Sequence, residues 1–157
     1  MPKRLILILG DQLDIDASVL SDINPAHDTL WMAEAMEEST HIASSKQRTT
    51  VFLSAMRHFA HTLRAKGWPL IYSKLDDPHN TGTLAGELAK AIAHVNPTQL
   101  VMTAPGDWRV LQSLRAVAKA HALPLEVCDD THFFSTVRDF ANHAHGRKQL
   151  RLEYFYR

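Results

Sequence analysis

Five short apolar stretches recur along the chain: Leu5 to Leu9, Thr29 to Ala33, Pro69 to Ser73, Leu100 to Thr103 and Leu125 to Cys128. Periodicity alone does not separate a buried strand from a short buried helix. Their length, and the Gly10-Asp11 stop after the first run, favour strands buried on both faces, as a parallel sheet requires. Between them the spacing changes. Phe52, Ala55, Met56, Phe59 and Leu63 fall on one face of a helix predicted over Lys46 to Lys66, with Gly67 as its stop and Pro69 just beyond. Leu84, Leu88, Ala91, Ile92 and Val95 make a second stripe, starting near Thr83 and ended by Pro97. A third helix opens at Asp107, a good N-cap residue, and buries Val110, Leu111, Leu114, Val117 and His121. Strand then helix, repeated, predicts βαβ units. The expected fold is a three-layer, Rossmann-like, doubly wound α/β domain around a five-stranded parallel sheet. Its order is 3-2-1-4-5, with 2-1-3-4-5 as the other natural arrangement.

Length and composition narrow the classes. At 157 residues the chain suits one core, here assigned to residues 1–130. Lys+Arg and Asp+Glu number 17 each, so nothing in the net charge points to nucleic acid or membrane as a partner of the whole surface. The single cysteine, Cys128, cannot form an internal disulfide, a Cys-based zinc site or an iron–sulfur cluster by itself. The N-terminal apolar run is too short for a signal or a membrane span, which makes a cytoplasmic protein the simplest expectation. Residues 131–157 differ from the rest. They carry five Lys/Arg against two acids and finish in Tyr154-Phe155-Tyr156-Arg157. Rings bunched at a terminus suggest either tucking back onto the domain or, the favoured reading, a native chain that continues.

In an open parallel sheet, ligands bind beyond the carboxyl ends of the strands, near the point where strand order reverses. Four loops qualify. Gly10-Asp11-Gln12-Leu13 combines a close-approach glycine with an acceptor and an amide. Glu34 to Ser39 contains Glu34 and Glu38, which one helical turn would set on one face beside Met36. Leu75 to Pro78 follows strand three. Ala104 to Arg109 offers Gly106, a stacking ring in Trp108 and a cation in Arg109. Each has a plainer explanation: backbone satisfaction for Asp11 or Gln12, a solvated helix start for the glutamates, a cap and edge packing for the last. The G-x-G-x-x-G, G-x-x-x-x-G-K-[ST] and G-x-S-x-G patterns are missing. His58 and His61 stand three apart with no further motif to complete a metal site.

Seven stretches carry a resemblance. Leu7-Ile8-Leu9-Gly10-Asp11-Gln12-Leu13, Glu34-Ala35-Met36, Ser54 to Phe59, Leu75-Asp76-Asp77, Pro105-Gly106-Asp107-Trp108-Arg109 with Gly146-Arg147-Lys148, and Glu153 to Arg157 resemble, in order and spacing, the cryptochrome/photolyase-related proteins of bacteria. These are the iron–sulfur photolyases of the six-four photoproduct. The resemblance implies an N-terminal domain holding a ribityllumazine-like antenna chromophore. It also implies a following helical domain that binds FAD and an iron–sulfur cluster, absent here, which repairs DNA by light-driven electron transfer. DNA would be met only through that parent, and this chain alone is expected to be inactive in repair. The matched positions imply antenna contacts at Gly10, Asp11, Glu34, Met36 and Glu38, and the loop reading adds Gln12, Gly106 and Trp108 as candidate contacts. Departures stand at His41, Ser44-Ser45 and Asp107, where relatives often carry Tyr, a His pair and Glu. Two other functions fit the residues less specifically: a stand-alone nucleotide- or small-ligand-binding α/β domain, and a module that uses its basic, aromatic end against DNA or a partner.

Overall fold

The computed structural model describes residues 3–41 and 44–156. Its centre is a five-stranded parallel sheet of order β3-β2-β1-β4-β5. The strands are β1 (Arg4–Leu7), β2 (Thr29–Ala33), β3 (Leu70–Ser73), β4 (Gln99–Thr103) and β5 (Leu125–Cys128). Pairing runs Leu5 with Thr29, Leu5 with Leu100, Leu30 with Leu70, and Leu100 with Leu125. The apolar runs are therefore strands, and order reverses between β1 and β4, at the start of the chain's second half.

Alternate residues divide the core into two. Leu5, Leu7, Leu9, Trp31, Ala33, Leu100 and Met102 face one side, against α3 (Leu84–Val95) and α4 (Trp108–Ala120). Ile6, Ile8, Leu30, Met32 and Val101 face the other, against α2 (Lys46–Ala65) and a 3₁₀ turn at Ser18–Leu20. These are the three layers of a doubly wound fold. A short α1 (Met36–Thr40) follows β2, while α5 (Val137–Ala144) and α6 (Leu152–Phe155) follow β5. No helix among the described residues is long and apolar enough to cross a membrane.

The helix ends follow local chemistry. Ser45 caps α2 by accepting from the Arg48 N–H, Thr83 caps α3 from Gly86, and Asp107 caps α4 from Arg109. Past α2 the chain turns at Gly67, whose φ of 75° is the left-handed region where glycine is unstrained. The α3 stripe is buried as expected, but two helix faces differ. On α2 the buried residues are Met56, Ala60 and Leu63, while Phe52 and Ala55 are exposed. Met56, Phe59 and Leu63 keep the expected face, while Leu53 and Ala60 take the places of Phe52 and Ala55, a roll of about half a residue step. On α4, Ala118 is buried, Val117 is half-buried and His121 is exposed at the C-cap. A polar imidazole there reaches water at no cost in buried polarity.

Gly86 sits in the first turn of α3, where alanine would ordinarily raise stability. Here a Cβ would meet Thr81 Oγ1 at 2.4 Å and Thr83 Oγ1, the cap acceptor, at 2.9 Å. Gly86→Ala is expected to lower stability by about 1–3 kcal/mol. Thermal unfolding checks the sign, and a higher Tm would contradict the crowding.

Candidate functional site

At the switch point the loops after β1 and β4 diverge, and a cavity of ≈ 910 Å³ opens between them and the segment that follows β5. Its floor is Gly10, Asp11, Gln12 and Leu13 from the first loop and Ala104, Pro105 and Gly106 from the second. Phe52 of α2 forms one wall. The roof is built by residues 129–156: Asp129, Asp130, His132 and Phe133 in the loop, Val137 and Phe140 on α5, and Leu152, Phe155 and Tyr156 at α6.

Gly10 lies where nothing larger fits. A Cβ there would come 2.6 Å from Phe52 Cζ and 2.8 Å from Met56 Sδ. Gln12 ties the two floor loops together. Its amide donates 2.9 Å to the Ala104 carbonyl, leaving Oε1 buried and without a partner among the described residues. Asp11 is exposed and free of hydrogen bonds or ion pairs among the described residues. The roof is pinned electrostatically. Arg138 pairs with Asp129 at 2.6 Å, and His132 stands 2.7 Å from Asp130 and 3.5 Å from Asp14 of the β1 loop. The Asp130 carboxylate, helped by Asp14, raises the His132 pKa above its ordinary value. On α5 a reciprocal Thr136–Asp139 capping box fixes the helix start. Phe155 then packs edge-on against Phe140, centroids 5.2 Å apart, which seats α6 on α5.

The expected contact residues separate into two groups. Gly10, Asp11, Gln12 and Gly106 line the cavity; Glu34, Met36, Glu38 and Trp108 do not. Glu34 and Glu38 share no face, because Glu34 precedes α1 and points into the protein. Its side chain is 0% exposed and paired with Arg57 at 2.8 Å. Tyr72 Oη and the Leu75 N–H also donate to it. Burial alone would push the Glu34 carboxyl up; the bonds from Arg57, Tyr72 and Leu75 outweigh it and hold the pKa below the usual range. That carboxylate organises the loop after β3, which lines no part of the cavity. Glu38 pairs with Arg109 at 3.1 Å, and Trp108 stands 69% exposed with Arg115 over its ring. Met36 is also exposed.

The cavity residues that sequence reasoning missed come mainly from residues 129–156 and from Phe52. The bunched rings near the end are visible in the sequence, where the favoured reading is a chain that continues past them. In the structure Phe155 tucks back while Tyr154 and Tyr156 stay exposed; Arg157 lies outside the described residues. Phe52 falls on the expected core stripe of α2, but in the structure its ring lies against Gly10 and lines the cavity. Among the described residues no group of three or more His, Cys, Asp or Glu side chains could hold a metal ion. Burial raises the Cys128 thiol pKa, the setting of an unreactive cysteine.

The open parallel sheet, with an apolar, aromatic cavity at its switch point, defines the class: an α/β domain of the doubly wound type. The chain belongs to the deoxyribodipyrimidine photo-lyase-related protein family, whose pattern it matches over residues 6–157. It is also 38% identical over 155 residues to a protein of Agrobacterium fabrum named (6-4) photolyase. That match covers 99% of this chain and 31% of the relative, so the chain spans about a third of the relative's length.

Proposed function

We propose that the chain is the antenna-chromophore-binding domain of a light-driven DNA-repair flavoprotein, itself not catalytic. The observation that supports this most is the cavity. Its ≈ 910 Å³ lies in the range of small-molecule sites, and Phe52, Phe133, Phe140 and Phe155 supply ring faces for a flat pigment. A ribityllumazine-like molecule suits these residues. Its ring would lie among the phenylalanines, and its hydroxyls would find acceptors at Asp11, Asp130 and the Thr136 hydroxyl. When bound, such a pigment would absorb violet light and pass the energy on. FAD and an iron–sulfur cluster belong, in this reading, to the part of the longer protein that the chain does not span. The same part would meet DNA. A cytoplasmic location goes with the same reading.

The test is retention of pigment. The purified chain, mixed with ribityllumazine and passed through gel filtration, is expected to carry a violet absorption band at close to one equivalent. A chain that elutes colourless at saturating pigment would overturn the proposal. Damaged DNA, reductant and light added to the chain alone should restore no bases.

A further inference from the structure

In parallel α/β domains a phosphate is usually held by a helix N-terminus beyond a strand's carboxyl end, where free N–H groups and the helix dipole meet the anion. At the starts of α3, α4 and α5 side chains of this chain already engage part of those N–H groups. At α3 the Leu84 N–H donates 2.8 Å to Glu37 Oε1 and the Gly86 N–H donates 3.0 Å to Thr83 Oγ1. At α4 the Arg109 N–H donates 2.7 Å to Asp107 Oδ1. At α5 the Asp139 N–H donates 3.1 Å to Thr136 Oγ1, with the Asp139 carboxylate folded back over the same turn. Two of these four acceptors, Glu37 and Asp107, are carboxylates, and Asp139 adds a third over α5, so a second anion would meet like charge at each of the three helix starts.

The cavity itself repeats the pattern. Among the described residues it is lined by no lysine and no arginine, while Asp11, Asp129 and Asp130 all border it. Arg138 answers Asp129, and His132 answers Asp130 when protonated. Asp11 has no such partner among the described residues. We propose that the cavity selects uncharged, phosphate-free aromatic ligands bearing hydroxyl groups, and that Asp11 is the residue that turns phosphorylated ones away. This rests on the chromophore reading and narrows it. It sets the domain apart from nucleotide-binding α/β proteins, which share its sheet order but present helix N-termini to phosphate without carboxylates such as Glu37, Asp107 and Asp139 over them.

Riboflavin and FMN differ only by a terminal phosphate, so they isolate the effect. Dissociation constants for both, with ribityllumazine as reference, are to be measured by fluorescence titration of the 157-residue chain at low and at moderate salt. Riboflavin is expected to bind about tenfold or more tightly than FMN, with the ratio shrinking as salt rises. Asp11→Asn should bring the ratio toward unity and Asp11→Lys should favour FMN. The exposed, unpaired position leaves little for either change to unfold, and an unaltered Tm confirms that. Equal binding of riboflavin and FMN by the native chain overturns the charge preference while leaving the chromophore reading intact. A ratio indifferent to both Asp11 variants overturns the role given to Asp11. If ribityllumazine, riboflavin and FMN all fail to bind, the chromophore reading falls and this inference falls with it.

Discussion

Arg57→Ala is expected to destabilise the fold by about 3–5 kcal/mol and to reverse its response to mild acid. The substitution strands Glu34, whose side chain is 0% exposed while Arg57 is 42% exposed. Removing the solvated partner therefore leaves the charge on the group that cannot reach water. In the native protein the Glu34 carboxyl lies below its ordinary value of 4.5. Its contribution is fully present above that value and is lost as pH falls through the lower folded pKa. Asp28 and Glu87, both buried and both lowered, act in the same direction. In the variant, burial is no longer outweighed by the guanidinium, so the Glu34 pKa moves above 4.5. A group raised in the folded state adds stability as it takes up its proton, so the variant should recover part of its loss on acidification. Urea unfolding between about pH 5.5 and about pH 4, where the unfolded carboxyl groups begin to take up protons, reads the two slopes. Parallel slopes would show that Tyr72 and Leu75 hold the carboxylate charged without Arg57. Arg57→Lys, keeping the charge but not the two-pronged geometry, should fall between.

Glu34 also shows where sequence reasoning reached its limit. Its spacing from Glu38 suggested a pair of acids on one helical face. Whether a carboxylate looks outward or inward depends on a cation 23 positions away and on a tyrosine from the neighbouring strand, and neither leaves a local trace. Periodicity did better where the outcome is local and repeated. The five strands came from runs of apolar residues, and the α3 stripe from its spacing, because burial on fixed faces imposes those patterns. The floor of the cavity was legible for a topological reason: the loops after β1 and β4 flank the reversal of strand order whatever their sequences. Its roof was not. Phe133, Phe140 and Phe155 come together only through the turn after β5 and the docking of α6 on α5, a sequence of bends that composition does not encode. Phe52 stands at the edge of the expected stripe, where a roll of about 50°, half a residue step, takes its ring from the core to the cavity wall.

That same ring makes Gly10→Val the substitution with the largest expected effect on binding. Gly10 has no positive φ, so its requirement is room and not conformation. The atoms it would strike differ in their freedom. Met56 is 2% exposed and locked in the core, whereas Phe52 is 41% exposed and meets the new Cβ with the far end of its ring. Phe52 must therefore yield, and its ring is the wall of the cavity. A branched side chain adds two further carbons behind the first, so overpacking of about 1–3 kcal/mol is expected together with a loss of pigment affinity of tenfold or more, roughly the value of one ring contact. Gly10→Ala should show a smaller version of both. The two effects separate in a double-mutant cycle with Phe52→Ala. Removing the ring first should return most of the stability lost at position 10, because the clash partner is gone, but should leave binding weak, because the wall is gone too. Additive losses of stability would mean that Met56, and not Phe52, takes the strain, and that Gly10 serves the core and not the cavity.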